Sequence, residues 1–266
     1  MNNRMIHEKQ FHNEKARTLD IRNLLVRETF ESPTALENEY IIKKIGPLNN
    51  LRILDLGCGV GEAAIYFAMK GAQVTACDIS ENMIKLGKQL EVKYVASSIR
   101  WVVADATLLP FKSEEFDCVY ANGVLHHVNI DDTVLEVLRV MKKSARAFFI
   151  EPIPYNPFIK IYRFLAKNMR SLDETPLRRR DISKVAGHFL EFHCNGFWLF
   201  SLYIFFNFFI IKRWSPSKVR YWKEVIREGY EHKRMINCIK LIDRKSLKMF
   251  PFLKWMCWNV VLEGTK

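Results

Sequence analysis

Residues 53 to 61 read Ile-Leu-Asp-Leu-Gly-Cys-Gly-Val-Gly, an apolar run that passes through Asp55 into three glycines spaced two apart. Glycine lacks a Cβ, so Gly57, Gly59 and Gly61 allow a tight turn and let the backbone approach a bound ligand closely, as in nucleotide-cofactor sites. A helix expected from about Glu62 to Lys70 then aims its N-terminal amides at that ligand. The dinucleotide fingerprint is G-x-G-x-x-G, and the place of its third glycine is held here by Glu62, so an acid-led G-x-G-x-G fits a different ligand. Further acids follow at strand ends. A second strand, Gln73 to Cys77, ends at Asp78, where an acid reads a ribose diol. A third, Arg100 to Ala104, ends at Asp105-Ala106, and a fourth, Phe116 to Ala121, runs into Asn122-Gly123 and then Val124-Leu125-His126-His127. A glycine loop alone also makes a plain tight turn. Acids at the carboxyl ends of parallel strands, however, point into the crevice where such sheets bind ligands, which makes coincidence the costlier explanation.

From Ile53 to His127 the chain resembles the class I methyltransferases, most closely the type 11 group with its D-x-G-C-G-x-G signature. The resemblance implies a Rossmann-like, doubly wound α/β sheet of seven strands, and S-adenosyl-L-methionine as cofactor. It assigns Asp55, Gly57, Cys58, Gly59 and Gly61 to the first cofactor loop, Asp78 with Ile79 to the ribose, and Asp105 with the backbone of Ala106 to the adenine. Met83, on the first turn of the helix that Ser80 caps, is placed to touch adenine or to fill core. Asn122 begins the segment under the methionine half of the cofactor. An NAD(P)-binding oxidoreductase is the rival reading of the fold, disfavoured by Glu62.

The elements that must position these residues fit a chain of 266 residues with 49% apolar side chains, enough for one large domain or one and a half. We read 1–46 as an N-terminal helical lid, 47–151 as the cofactor-binding core, and 152–266 as an acceptor-binding helical cap plus the closing strands of the sheet. Residues 5 to 28 suggest one or two helices. Ser32-Pro33 has the form of a helix start and Gly46-Pro47 that of a stop. In the family such segments fold over the cofactor, which makes His7, His12 and Tyr40 candidate site residues beside a surface or packing role. A helix from Asp131 to Met141 presents Val134, Leu135, Leu138 and Met141, and a fifth strand follows from Ala145 to Ile150. Six cysteines with no C-x-x-C pair read as thiols in a reducing compartment. The first twenty residues are polar and charged, so we expect no secretory signal and a cytoplasmic protein, or one peripheral on the cytoplasmic face of the membrane.

The chain changes character at Glu151-Pro152-Ile153-Pro154-Tyr155-Asn156-Pro157. Residues 1–151 hold 19 basic and 20 acidic side chains, and residues 152–266 hold 22 and 9, so all of the net +12 lies in the C-terminal portion. Five of the six tryptophans follow the proline run, and Phe197 to Ile211 is almost wholly aromatic and aliphatic before Lys212-Arg213-Trp214. As a membrane span this block is short, because at about 1.5 Å per residue it covers about 22 Å of a core about 30 Å thick. It suits an interfacial helix on an anionic surface, with Arg178-Arg179-Arg180 nearby, and equally a buried helix or aromatic wall over the acceptor pocket. Phe189 to Cys194 and Trp258 to Leu262 are the candidates for strands six and seven. The sequence Asp173-Glu174-Thr175-Pro176-Leu177 within the first insertion resembles one found in a subset of microbial type 11 members.

Methyl transfer by in-line displacement needs alignment above all, with a base where the nucleophile carries a proton. His126, His127 and Glu151 are the candidate bases, each with a structural reading of at least equal weight. His188, His193 and His232 lack ligand-like spacing with Cys194 or each other, and we expect no metal. The Asn-Pro-Pro-aromatic signature of amino-methylating DNA enzymes is absent after strand four. RNA is the less favoured partner, since the aromatics form one apolar block and are not spaced singly among basic side chains. A small or lipid-like hydrophobic acceptor fits best, with oxygen the expected methylated atom and carbon next.

Overall fold

The computed structural model describes residues 3–94, 99–166, 175–215 and 221–266, without the side chains of Asn3, Trp222 and Lys223. Asp173 and Glu174 therefore lie outside the described residues. Seven strands form one sheet: β1 Arg52–Leu56, β2 Gln73–Asp78, β3 Arg100–Val103, β4 Phe116–Asn122, β5 Met141–Pro152, β6 Glu191–Phe197 and β7 Asn259–Thr265. Their order is β3-β2-β1-β4-β5-β7-β6. The first five are parallel, and β7 runs antiparallel between β5 and β6. Strand order reverses between β1 and β4, so loops leaving the carboxyl ends of these two strands part to opposite faces and leave a crevice.

Both faces of the sheet are covered, which is why β1 and β4 read as nearly continuous apolar runs. Ile53, Val74, Tyr120 and Phe148 pack on one side against helices α4 (Glu62–Met69) and α5 (Glu81–Tyr94). Leu54, Val119, Ala147 and Phe149 pack on the other side against α6 (Ile130–Val140) and α8 (Arg179–Ala186). The buried stripe of α6 is Thr133, Val134, Val137 and Val140, whereas Leu135 is exposed. The expected stripe through Leu135 is thus corrected by about one position; Asn129 caps the helix by accepting from the N–H groups of Asp131 and Asp132.

The N-terminal segment forms α1 (Asn3–Arg17), a 3-10 turn at Ile21–Asn23, a single turn α2 (Glu28–Glu31) and α3 (Leu36–Ile45). Ser32 does not start a helix. Its backbone N–H closes α2 on Glu28, and α3 begins after Ala35. The C-terminal insertions supply α7 (Pro157–Leu165) before α8, then α9 (Tyr203–Phe206), a π-turn at Asn207–Ile211, α10 (Tyr221–Glu228) and α11 (Lys233–Met249). Trp198, Leu202, Ile204, Phe205 and Phe208 of the aromatic block are buried with Ile159 of α7 and Tyr221 of α10. Phe206, Phe209, Ile210 and Ile211 are exposed. No helix among the described residues is long and apolar enough to cross a membrane.

Trp101 of β3 fills the gap between the glycine loop and α5. A Cβ on Gly61, whose φ is +77°, would meet the Trp101 ring at 2.2 Å, and one on Gly87 would meet it at 2.5 Å. Gly61→Ala is expected to cost about 2–4 kcal/mol from combined backbone strain and overpacking. Urea unfolding checks this, and Trp101→Ala added to Gly61→Ala should recover part of the loss; a single variant as stable as the parent would refute the wedge.

Candidate active site

β1 delivers Asp55 and Leu56 to the loop Gly57–Gly61, in which all three glycines have positive φ. They do different jobs. A Cβ on Gly57 would strike Val124 at 2.5 Å, so this glycine lets the β1 and β4 loops touch, while Gly61 admits Trp101. A Cβ on Gly59 would meet nothing within 4 Å. That open space belongs to a cavity of about 790 Å³, within the range of small-molecule sites.

Buried carboxylates shape its floor. Asp78 accepts from the Gly59 N–H through one oxygen and from the Ser80 N–H through the other, both at 2.8 Å. Asp55 accepts from the Ala64 N–H at 3.0 Å, across the first turn of α4. Burial pushes the Asp55 carboxyl up to about 8, the amide bond draws it back, and the nearby Asp78 charge adds to the rise. Burial likewise raises Asp78 against the pull of its amide partners. Asp105 accepts from the Thr107 N–H at 2.9 Å and lines the cavity with Ala106. Cys58, Ile79, Met83 and Asn122 line it too. Gly61 stands outside the wall.

Helix α1 closes one side. Asn13 accepts from the Ser80 hydroxyl at 2.7 Å and holds α1 on the start of α5, while Ser80 caps that helix through the Met83 N–H. Arg4, Met5, Glu8, His12 and Lys15 thereby enter the wall, joined by Leu19 and Leu24 of the following strap. Burial, with the Lys15 and His127 charges, lowers His12 to about 4, so its imidazole is neutral near pH 7. His7 is exposed on the other face of α1. Tyr40 lies away from the cavity, donating to Glu263 at 2.6 Å and accepting from Asn195 at 2.9 Å.

The three candidate bases separate. His127 lines the cavity, with Glu8 3.1 Å from its Nδ1. His126 and Glu151 stand behind the wall. Fully buried Glu151 accepts from the N–H groups of Val124 (2.9 Å) and Leu125 (2.7 Å), and its second oxygen lies 2.6 Å from His126 Nδ1. Glu151 therefore holds the β4 loop in place, and His126 supports the same loop. Sequence reasoning did not single out Glu8; the available signal was its i, i+4 relation to His12 on one helical face.

Residues 54–149 match the family described as methyltransferase domain, and the sheet order and the crevice between β1 and β4 are those expected of it. Residues 54–149 are a methyltransferase domain. A ubiquinone/menaquinone biosynthesis C-methyltransferase UbiE from Pseudomonas entomophila is 35% identical over 121 residues, covering 44% of this chain and 47% of that protein. The enzyme of the same description from Cereibacter sphaeroides is 32% identical over 111 residues, 40% of this chain and 44% of that protein. The chain thus matches about half the length of these curated relatives. Among solved structures, a Thermotoga maritima SAM-dependent methyltransferase described as a possible histamine N-methyltransferase aligns with 98% of this chain and 99% of its own, at 15% identity and TM-score 0.57. Phosphoethanolamine N-methyltransferase 2 of Haemonchus contortus, solved with S-adenosyl-L-methionine, covers 86% of this chain and 52% of its own, at 18% identity and TM-score 0.56. At these identities the structures show the common fold.

The wall residues fit the cofactor of this fold, S-adenosylmethionine: the open space over Gly59 admits its backbone-hugging part, and Asp78 and Asp105 offer acceptors at successive strand ends. Removing the Glu151 carboxylate would strand two buried amides and a buried imidazole. Glu151→Ala is expected to cost about 3 kcal/mol or more in guanidinium unfolding, with Glu151→Gln intermediate; an unchanged midpoint would remove its positioning role.

Proposed function

We propose that this protein is an S-adenosylmethionine-dependent methyltransferase for a small or lipid-like hydrophobic acceptor that carries an ionisable hydroxyl. The observation that carries the reading is the placing of Asp78 and Asp105 at the ends of β2 and β3 around the open face of Gly59, in one cavity. S-adenosylmethionine supplies an electrophilic methyl group on a sulfonium. Asp78 accepts from the ribose hydroxyls while its amide partners hold it still. Asp105 and the Ala106 backbone read adenine, and Met83 supplies an apolar contact. Asn122 and the following loop, braced by Glu151, face the methionine half. His127 and the α1 side chains face the space left for the acceptor. Oxygen methylation follows from a hydroxyl acceptor; carbon methylation next to that hydroxyl is the second reading, favoured by the described activity of the UbiE relatives.

Calorimetric titration with S-adenosylmethionine and with NADH tests this. We expect binding of the former alone, weakened at least tenfold, about 1.4 kcal/mol, by Asp78→Ala. NADH binding alone would return the glycine loop to an oxidoreductase, and equal affinity in the variant would displace the ribose site.

A lipid-like acceptor is reached most directly from a membrane surface, and we place the protein on the anionic cytoplasmic face. Support comes from the exposed apolar side chains Ile161, Phe164, Phe206, Phe209, Ile210 and Ile211. α7 and α9 are brought together by the stacked rings of Phe158 and Phe206, 5.4 Å apart. Exposed Lys160 and Arg213 flank them and suit anionic headgroups. The wild-type protein should sediment with phosphatidylglycerol vesicles, and Phe209→Glu with Ile211→Glu should abolish this at unchanged cofactor affinity. Equal sedimentation of the double variant would move docking elsewhere.

A further inference from the structure

Glu8 and His12 lie one helical turn apart on α1, and His127 reaches them from the loop after β4, a sequence separation that hides the cluster until the chain is folded. Glu8 Oε2 is 3.1 Å from His127 Nδ1 and 3.6 Å from His12 Nε2, and ligand atoms of all three residues lie within 4.8 Å of one another. Glu8 is buried, and each of the three lines the cofactor cavity. The contact between Glu8 and His127 does not have hydrogen-bond geometry. Nδ1 of His127 is itself buried and makes no hydrogen bond among the described residues, despite the oxygen 3.1 Å away. Such an arrangement aims lone pairs at a shared point.

We propose that Glu8, His12 and His127 bind one divalent first-row transition-metal ion on the acceptor side of the cavity. With metal–ligand bonds of about 2.1 Å, separations of 3.1 and 3.6 Å subtend about 95° and 118° at the ion, one near the octahedral value and the other somewhat wider than tetrahedral. Two imidazoles and a carboxylate make a set suited to zinc, iron or cobalt, and three protein ligands leave positions open toward the cavity. The second His and carboxylate cluster, Glu228, Glu231 and His232, lacks this setting: Lys212 pairs with Glu228 at 2.6 Å, and Glu231 is exposed.

The ion's role rests on the methyltransferase reading; its binding does not. Bound at an open position, an acceptor hydroxyl would lose its proton to solvent near neutral pH and would be fixed beside the methyl-bearing end of the cofactor. Arg4 and Lys15 also line this wall, and their charges oppose a cation, which weakens the site.

The test is a titration of tag-free, chelator-treated full-length protein with Co²⁺, read by its visible ligand-field band, and with Zn²⁺, read by calorimetry. S-adenosylmethionine is titrated in parallel as a measure of the folded core. We expect one ion per chain, weakened at least tenfold by His12→Gln, His127→Gln and Glu8→Gln, and unchanged by His232→Gln. No binding by the wild-type protein would overturn the site, as would binding that survives in the His12→Gln and His127→Gln double variant. A metal signal without cofactor binding would keep the ion and reject the methyltransferase role; cofactor binding without a metal signal would do the reverse.

Discussion

The crevice depends on acids that leave water to serve the main chain. Where a parallel strand ends, the N–H groups of the next loop or helix turn lack ladder partners, and a buried N–H without an acceptor costs about as much as a lost hydrogen bond. Asp78 meets this need for the glycine loop and for the turn after β2. Glu151 meets it for the loop after β4, and Asp55 for the first turn of α4. A charged carboxylate inside a protein is itself expensive, and the raised values of Asp55 and Asp78 reflect that cost. Each acid and its amides are thus tolerable only together, so loops carried on separate strands become one rigid wall.

Helix α1 converts that wall into a chamber. It is a weakly amphipathic helix with little burial of its own, and it is held by polar contacts at specific points. Asn13 fastens it to the cap of α5, and the Arg4 guanidinium donates to the His126 carbonyl at 2.7 Å, reaching the same loop that Glu151 braces. The loop after β4 and the start of α5 are thereby both tied to α1.

The parts of this architecture that rest on local chemistry were legible in the sequence. Gly57, Asp78 and Asp105 are constrained by backbone geometry at strand ends, and such constraints leave fixed spacings. The separate jobs of the three glycines were not legible, because Trp101 and Val124 come to Gly61 and Gly57 from other strands. Nor was the division between His126, turned inward onto Glu151, and His127, turned toward the cavity, since adjacent residues give no hint of which one a buried carboxylate selects. Ser32 misled because a serine before proline serves a helix end as well as a helix start when the preceding turn closes on it. Glu8 stayed hidden because its partner His127 is more than a hundred residues away.

The cap raises a different question, because insertions between β5, β6 and β7 could hang loosely from the sheet. Glu37 of α3 prevents this. Its two oxygens accept from the Trp198 indole N–H at 3.0 Å and from the Asn259 side chain at 2.7 Å, joining the N-terminal segment, the aromatic block and β7 at one buried carboxylate. Burial raises this carboxyl, and the two donors offset part of the rise. Beside it, Trp198, Phe205 and Trp258 pack ring to ring, with Phe205 and Trp258 centroids 4.7 Å apart. The inner half of the aromatic block is thereby locked to the same sheet that carries the cofactor loops, and only the outer half remains for a surface. One short segment thus packs Trp198, Phe205 and Phe208 inward while Phe206, Phe209 and Ile211 stay exposed, a division set by which side chains the sheet and α7 cover.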